Sequence, residues 1–141
     1  MKHFGIPLLL TALMSIAATL PQDKIVVSDV KVRALPIPRT AAYFSMKNHG
    51  TKEVRLLQAS SPDAKKIEIH RTVEADGSVH MESIDSIKIK PGETIQLKPM
   101  GLHLMIMGLK KPLSEGESIS VILKFENHPN IALKATAKKS I

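Results

Sequence analysis

From Lys24 onward the hydrophobic positions recur mainly with a period of two, the signature of half-buried β-strands. Val26, Val30 and Val32 alternate with Asp29, Lys31 and Arg33. Ile67 and Ile69 alternate with Lys66, Glu68 and His70, and Ile87 and Ile89 with Ser86, Lys88 and Lys90. Ile119, Val121, Leu123 and Phe125 form the longest regular run, offset against Ser118, Ser120 and Lys124. Turn formers separate these runs at short intervals, among them Asn48-His49-Gly50, Ala75-Asp76-Gly77, Pro91-Gly92 and Glu115-Gly116. Nothing after Lys24 sustains a helical period over three turns. The pattern predicts an antiparallel all-β domain over residues 24–141, with a β-sandwich as its architecture.

The first twenty residues break this pattern. Lys2 and His3 form a short polar head, Phe4 to Leu20 carries no charge, and the run Leu8 to Leu20 lies between Pro7 and Pro21. Such a run is shorter than the roughly 20 apolar residues of a membrane span, and it ends in small residues. Residues 1–20 therefore read as a signal peptide cut near Ala17 or Ala18. No basic stop-transfer cluster follows and no cysteine stands at the cut, so the expected product is exported with neither membrane insertion nor a lipid anchor.

The sequence has 20 Lys+Arg against 13 Asp+Glu, a formal net charge of +7. The cations are scattered in doublets such as Lys65-Lys66 and Lys110-Lys111, and aromatic residues make up only 3% of the chain. Nucleic-acid binding, which concentrates charge and adds stacking aromatics, is not expected. Zero cysteines exclude disulfides, thiolate zinc sites, iron–sulfur clusters and a blue-copper centre. Thioether and imidazole chemistry remains, and four of the 7 methionines (Met81, Met100, Met105 and Met107) crowd into one stretch.

In the strand predicted over Gly101–Gly108, alternation puts Leu102, Leu104 and Ile106 on one face and His103, Met105 and Met107 on the other. His70 ends the predicted strand Lys66–His70 on the face opposite Ile67 and Ile69, and Met81 follows the Asp76-Gly77 turn. Antiparallel neighbours are able to gather His70, Met81, His103 and Met105 at one end of a sandwich. Thioethers are soft neutral donors that favour Cu(I), and two histidines with two methionines suit a monovalent ion better than Zn²⁺. Met107 is open to either packing or lining this site, and Met100, in the turn just before the strand, to shielding it. His80 is expected on the opposite face, and His49 and His128 in turns carry no assignment. The carboxylates fall mostly on strand exteriors and turns, where solvation is the ordinary role. Without a metal, the same residues describe an exported sandwich that docks partners through its basic surface.

The spacing His70-x10-Met81-x21-His103-x-Met105 resembles the signature of the PCu(A)C family of periplasmic copper chaperones. The flanks Ile67-Glu68-Ile69-His70, Lys90-Pro91-Gly92-Glu93-Thr94 and Lys98-Pro99-Met100-Gly101-Leu102 carry the likeness further, as do Ala41-Ala42-Tyr43-Phe44 and Ala59-Ser60-Ser61-Pro62. The resemblance implies a cupredoxin-like Greek-key β-sandwich that holds Cu(I) between His70, Met81, His103 and Met105. It implies a periplasmic carrier, not an enzyme; a monomer is the expected state, with a site shared between chains left open. The implied acceptors are a copper-accepting subunit of cytochrome c oxidase, at its binuclear copper site, or a thioredoxin-like copper assembly protein. Two features depart from some members: Arg71 stands where a second methionine follows the first histidine, and the tail Ala132–Ile141 lacks His and Met. Hydrolase motifs such as Gly-x-Ser-x-Gly and His-Glu-x-x-His are absent.

Overall fold

A computed structural model describes residues 24–141, and the leader expected over 1–20 lies outside them. The described chain forms strands β1 (Ile25–Arg33), β2 (Arg39–Asn48), β3 (Val54–Ser60), β4 (Ala64–Ala75) and β5 (Ser78–Ser83). These are followed by β6 (Ile87–Ile89), β7 (Thr94–Gln96), β8 (His103–Leu109), β9 (Ser118–Glu126) and β10 (Ile131–Lys138). They pair in the order β5-β4-β8-β2-β1-β10-β9-β3-β6, with β7 added to β2. The sheet folds over so that β3 also packs against β4, and its two halves close as a β-sandwich on one apolar core.

The period of two accounts for that core. On β9, Ile119, Val121, Leu123 and Phe125 are buried between exposed or half-buried neighbours. Ile67 and Ile69 of β4 point inward, as do Leu104 and Ile106 of β8, which are fully buried at 0% exposure. The turn at Asn48 is fixed by its buried amide, which donates to the carbonyls of Lys52 at 2.8 Å and Ile89 at 3.0 Å.

Two features differ from the sequence pattern. The pairing of β1 with β10 is parallel, from Lys31–Thr136 to Arg33–Lys138, while the other pairings are antiparallel. A parallel neighbour lies far away in the chain, so no local turn announces it. Within β1 the register to β2 shifts between Ser28 and Lys31, where Asp29 has a φ of 55°. This bulge swaps the inward-facing set: Ile25 is buried before it and Val32 after it, leaving Val26 46% exposed. An inserted residue reverses alternation, so Val26 and Val32 do not share the face that unbroken alternation predicts.

β4 is also longer than its apolar run. It continues for 12 residues to Ala75 and turns through Asp76 (φ 51°) and Gly77 (φ 76°) into β5. Positive φ at both central residues is the two-residue hairpin geometry that Asp-Gly favours, because its twist matches the flanking strands. His70 thus lies inside β4, not at its end. The extension brings β5 alongside the strand that carries it.

Candidate metal centre

β4 lies between β5 and β8, and its register decides which side chains meet. His70 pairs with His103, Glu68 with Met105 and Lys66 with Met107. Across the other edge Thr72 pairs with Met81 and His70 with Ser83. Directly paired residues in a sheet project to the same side, and so do positions two apart. His70, His103, Met105 and Met81 therefore share the outer face of three adjacent strands, opposite Ile69, Leu104 and Ile106.

The imidazoles are sheltered although they face away from the core. His103 is only 3% exposed, with the Tyr43 ring of β2 at 6.4 Å and the His70 ring at 5.7 Å in an edge-on arrangement. Tyr43 is itself held from outside, its hydroxyl accepting from Arg33 Nε at 3.3 Å. The His70 side chain is 16% exposed.

Each ring is oriented through one nitrogen. His103 Nδ1 lies 3.0 Å from the Gly101 carbonyl, which only accepts, so Nδ1 carries the proton and Nε2 the lone pair. His70 Nε2 lies 2.7 Å from Glu68 Oε2 and donates to that carboxylate. In the neutral ring this leaves the lone pair on Nδ1. Hydrogen bonds from Lys66 and then His70 hold the Glu68 carboxyl below its usual range. The two remaining ring nitrogens, His70 Nδ1 and His103 Nε2, are buried and have no hydrogen-bond partner; Thr72 Oγ1, on the same face, is likewise unpartnered. A buried polar atom without a partner costs about 1–3 kcal/mol. A metal ion would satisfy both ring nitrogens.

The thioethers flank this pair unequally. Met105 is half-buried beside His103, whereas Met81 on the edge strand β5 is 55% exposed. Met107 lies on the same face opposite Lys66, one step farther from His103 than Met105. Met100 is 69% exposed, with a φ of 67°, next to the glycine whose carbonyl orients His103. Among the described residues no three His, Cys, Asp or Glu side chains group as a metal site, so a site here depends on sulfur. That donor set, two neutral imidazole nitrogens with thioethers alongside, fits a soft monovalent ion.

The other histidines lie elsewhere. His80 pairs with Val73, off the outer face, and is exposed, and His49 is exposed in its turn. His128 accepts the Ile25 backbone N–H at 3.3 Å and packs edge-on against Phe125, a structural role at a strand junction. Arg71 pairs with Glu82 across the hairpin. Glu68 is the residue whose part the sequence reading missed: it lies on the strand exterior, and there it is the acceptor for His70. Its position two residues before His70, on the same side of a strand, was the available signal. The Gly101 carbonyl and the Tyr43 ring gave none.

Comparison with known proteins agrees with this architecture. Residues 25–137 match the family described as "Putative lipoprotein LpqE-like". A curated relative, "Putative lipoprotein Lxx21020" of Leifsonia xyli subsp. xyli, is 38% identical over 106 residues, covering 74% of this chain and 64% of its own. The chain thus matches slightly under two thirds of that relative's length. The solution structure of Cu(I)-loaded DR1885 from Deinococcus radiodurans is 31% identical, with a TM-score of 0.66 over 89% of this chain and 83% of that one. The copper-bound PCuAC domain from PmoF2 shares the fold at 20% identity, with a TM-score of 0.69 over 82% of this chain and 92% of that one. The chain belongs to the LpqE-like family, the family of PCu(A)C domains.

Proposed function

We propose that this protein is an exported Cu(I) carrier that binds the ion through His70 Nδ1, His103 Nε2 and the thioethers of Met105 and Met81. The observation that carries the reading is the pair of buried, unpartnered ring nitrogens on a face that also presents two thioethers. The Cu(I)-loaded relative from Deinococcus radiodurans supports the choice of ion. A metal-free docking module leaves both lone pairs unexplained.

The unequal exposure of the thioethers suits transfer. The histidines and Met105 form a sheltered base, and Met81 is the donor that solvent and partners reach. An acceptor thiolate or imidazole enters on the β5 side and displaces Met81 first, so the ion is never released to bulk water. The direction of transfer follows the difference in affinity between carrier and acceptor. The lipoprotein descriptions of the family and of the Leifsonia relative support export, which agrees with the leader expected over residues 1–20. Delivery in the periplasm toward the binuclear copper site of cytochrome c oxidase, directly or through a thioredoxin-like assembly protein, completes the proposal, with the carrier acting as a monomer and not as an enzyme.

Anaerobic Cu(I) competition titrations test it. The wild-type protein is expected to bind one equivalent, and X-ray absorption to show both nitrogen and sulfur scatterers. Cu(I) affinity unchanged in both His103→Ala and Met81→Leu would overturn the ligand assignment.

A further inference from the structure

The two histidines present different nitrogens to the common face, Nδ1 from His70 and Nε2 from His103, and different groups impose the difference. For His103 it is a backbone carbonyl, which no side-chain substitution removes. For His70 it is Glu68, and we propose that Glu68 is a positioning residue that fixes the proton of His70 on Nε2 and thereby makes Nδ1 the metal-binding atom. This inference rests on the copper-carrier reading only for its consequence; the tautomer itself is a property of the metal-free protein.

Geometry supports this in three ways. Glu68 and His70 are two residues apart on β4, so the strand places both side chains on the outer face. One carboxylate oxygen, Oε2, lies 2.7 Å from His70 Nε2, while the other, Oε1, is held 2.6 Å from Lys66 Nζ. The carboxylate is thus anchored from its outer side and turned toward the ring on its inner side. The neutral imidazole has one N–H, and a carboxylate acceptor at Nε2 determines where it goes. With the proton at Nδ1 instead, Nε2 and Oε2 would oppose two lone pairs at hydrogen-bond distance, and the buried Nδ1 would be a donor without an acceptor. Outer partners of this kind typically set ring orientation and donor strength in metal sites, and their loss costs roughly 10–100-fold in metal affinity.

The consequence is a division of labour on one face. Glu68 pairs across the ladder with Met105, so one position of β4 orients a nitrogen ligand while its neighbour on β8 supplies a sulfur. Lys66 contributes at one remove, by holding the outer oxygen.

Long-range nitrogen–proton NMR correlation at neutral pH, on the uniformly ¹⁵N-labelled metal-free protein, reads the tautomer of each ring directly. The wild type is expected to show His70 protonated at Nε2 and His103 at Nδ1. Glu68→Ala is expected to turn His70 into a mixture of tautomers and leave His103 unchanged, which also certifies that the sheet is intact. Its Cu(I) affinity is expected to fall about 10–100-fold. A wild-type His70 protonated at Nδ1 would overturn the inference whether or not the variant folds, and so would an unchanged His70 tautomer in Glu68→Ala. Adding Cu(I) to the wild type separates this inference from the one beneath it. If Glu68→Ala shifts the tautomer but Cu(I) leaves both rings of the wild type unaffected, the positioning role stands and the carrier reading falls.

Discussion

The two faces of the β4–β8 pair are made from the same strands, yet they answer to different physics. Inward, Ile67, Ile69, Leu104 and Ile106 fill the core and need no particular partner. Outward, at the intervening positions, Glu68, His70, His103 and Met105 are ordered by specific hydrogen bonds and by register. The inner face gains from removing apolar surface from water, about 25 cal/mol per Å². The outer face keeps two buried nitrogens unpaired in the metal-free protein, which costs stability. Strand alternation lets these two demands sit side by side without sharing a residue, so stability and metal affinity are expected to respond to different substitutions.

Leu104→Ala tests the inner face most severely. Truncating a fully buried leucine is expected to cost about 2–5 kcal/mol, read as a shift in the denaturant midpoint. A cost below about 1 kcal/mol would break the contrast between the faces. His103→Ala, one residue away, is expected to do the reverse. It should weaken Cu(I) binding by more than the roughly 10–100-fold typical of losing an outer partner, while stability moves by no more than about 1–2 kcal/mol.

Met81→Leu sharpens the comparison within the outer face. The side chain is 55% exposed on an edge strand, so stability should hold within about 0.5 kcal/mol. Cu(I) affinity should drop about tenfold and release to an acceptor should slow, because the donor displaced first is missing. Gly77→Ala probes the hairpin that carries Met81. A Cβ there meets nothing within 4 Å, so its cost of about 1 kcal/mol comes from the φ of 76° alone.

The smallest effect concerns acid. The Glu68 carboxyl is held below its usual 4.5 by Lys66 and then His70. A carboxyl lowered on folding contributes stability above its unfolded pKa, and that contribution disappears as pH falls through the folded value. Glu68→Ala should therefore lose less stability than wild type when denaturation midpoints are compared above pH 4.5 and well below it. The group is at the surface, so the difference will be small and screened by salt.

The legible parts of the molecule were those governed by neighbours in the chain. Alternation located β8 and β9 and placed His103 and Met105 on one side of a strand, and Asp76-Gly77 marked the hairpin. Alternation misplaced Val26 because a bulge at Asp29 resets the phase, and nothing in the spacing of valines encodes that bulge. The strand bearing His70 looked shorter than it is, since its second half, Arg71–Ala75, pairs with β5 outside the main core and so lacks the buried isoleucines.

The amino-acid sequence by itself determined the all-β class, the identity of the His/Met face and the exclusion of thiolate chemistry, because side-chain direction in a strand repeats every two residues whatever lies beside it. Tertiary structure decided the rest. Sheet order put β8 between β4 and β2 and β5 at the end of the order, which sheltered His103, left Met105 half-buried on the same outer face, and placed Met81 on an edge. It also determined which nitrogen each imidazole offers, since a tautomer depends on the acceptor that folding brings within about 3 Å. For His70 and His103 those acceptors are Glu68 and the Gly101 carbonyl.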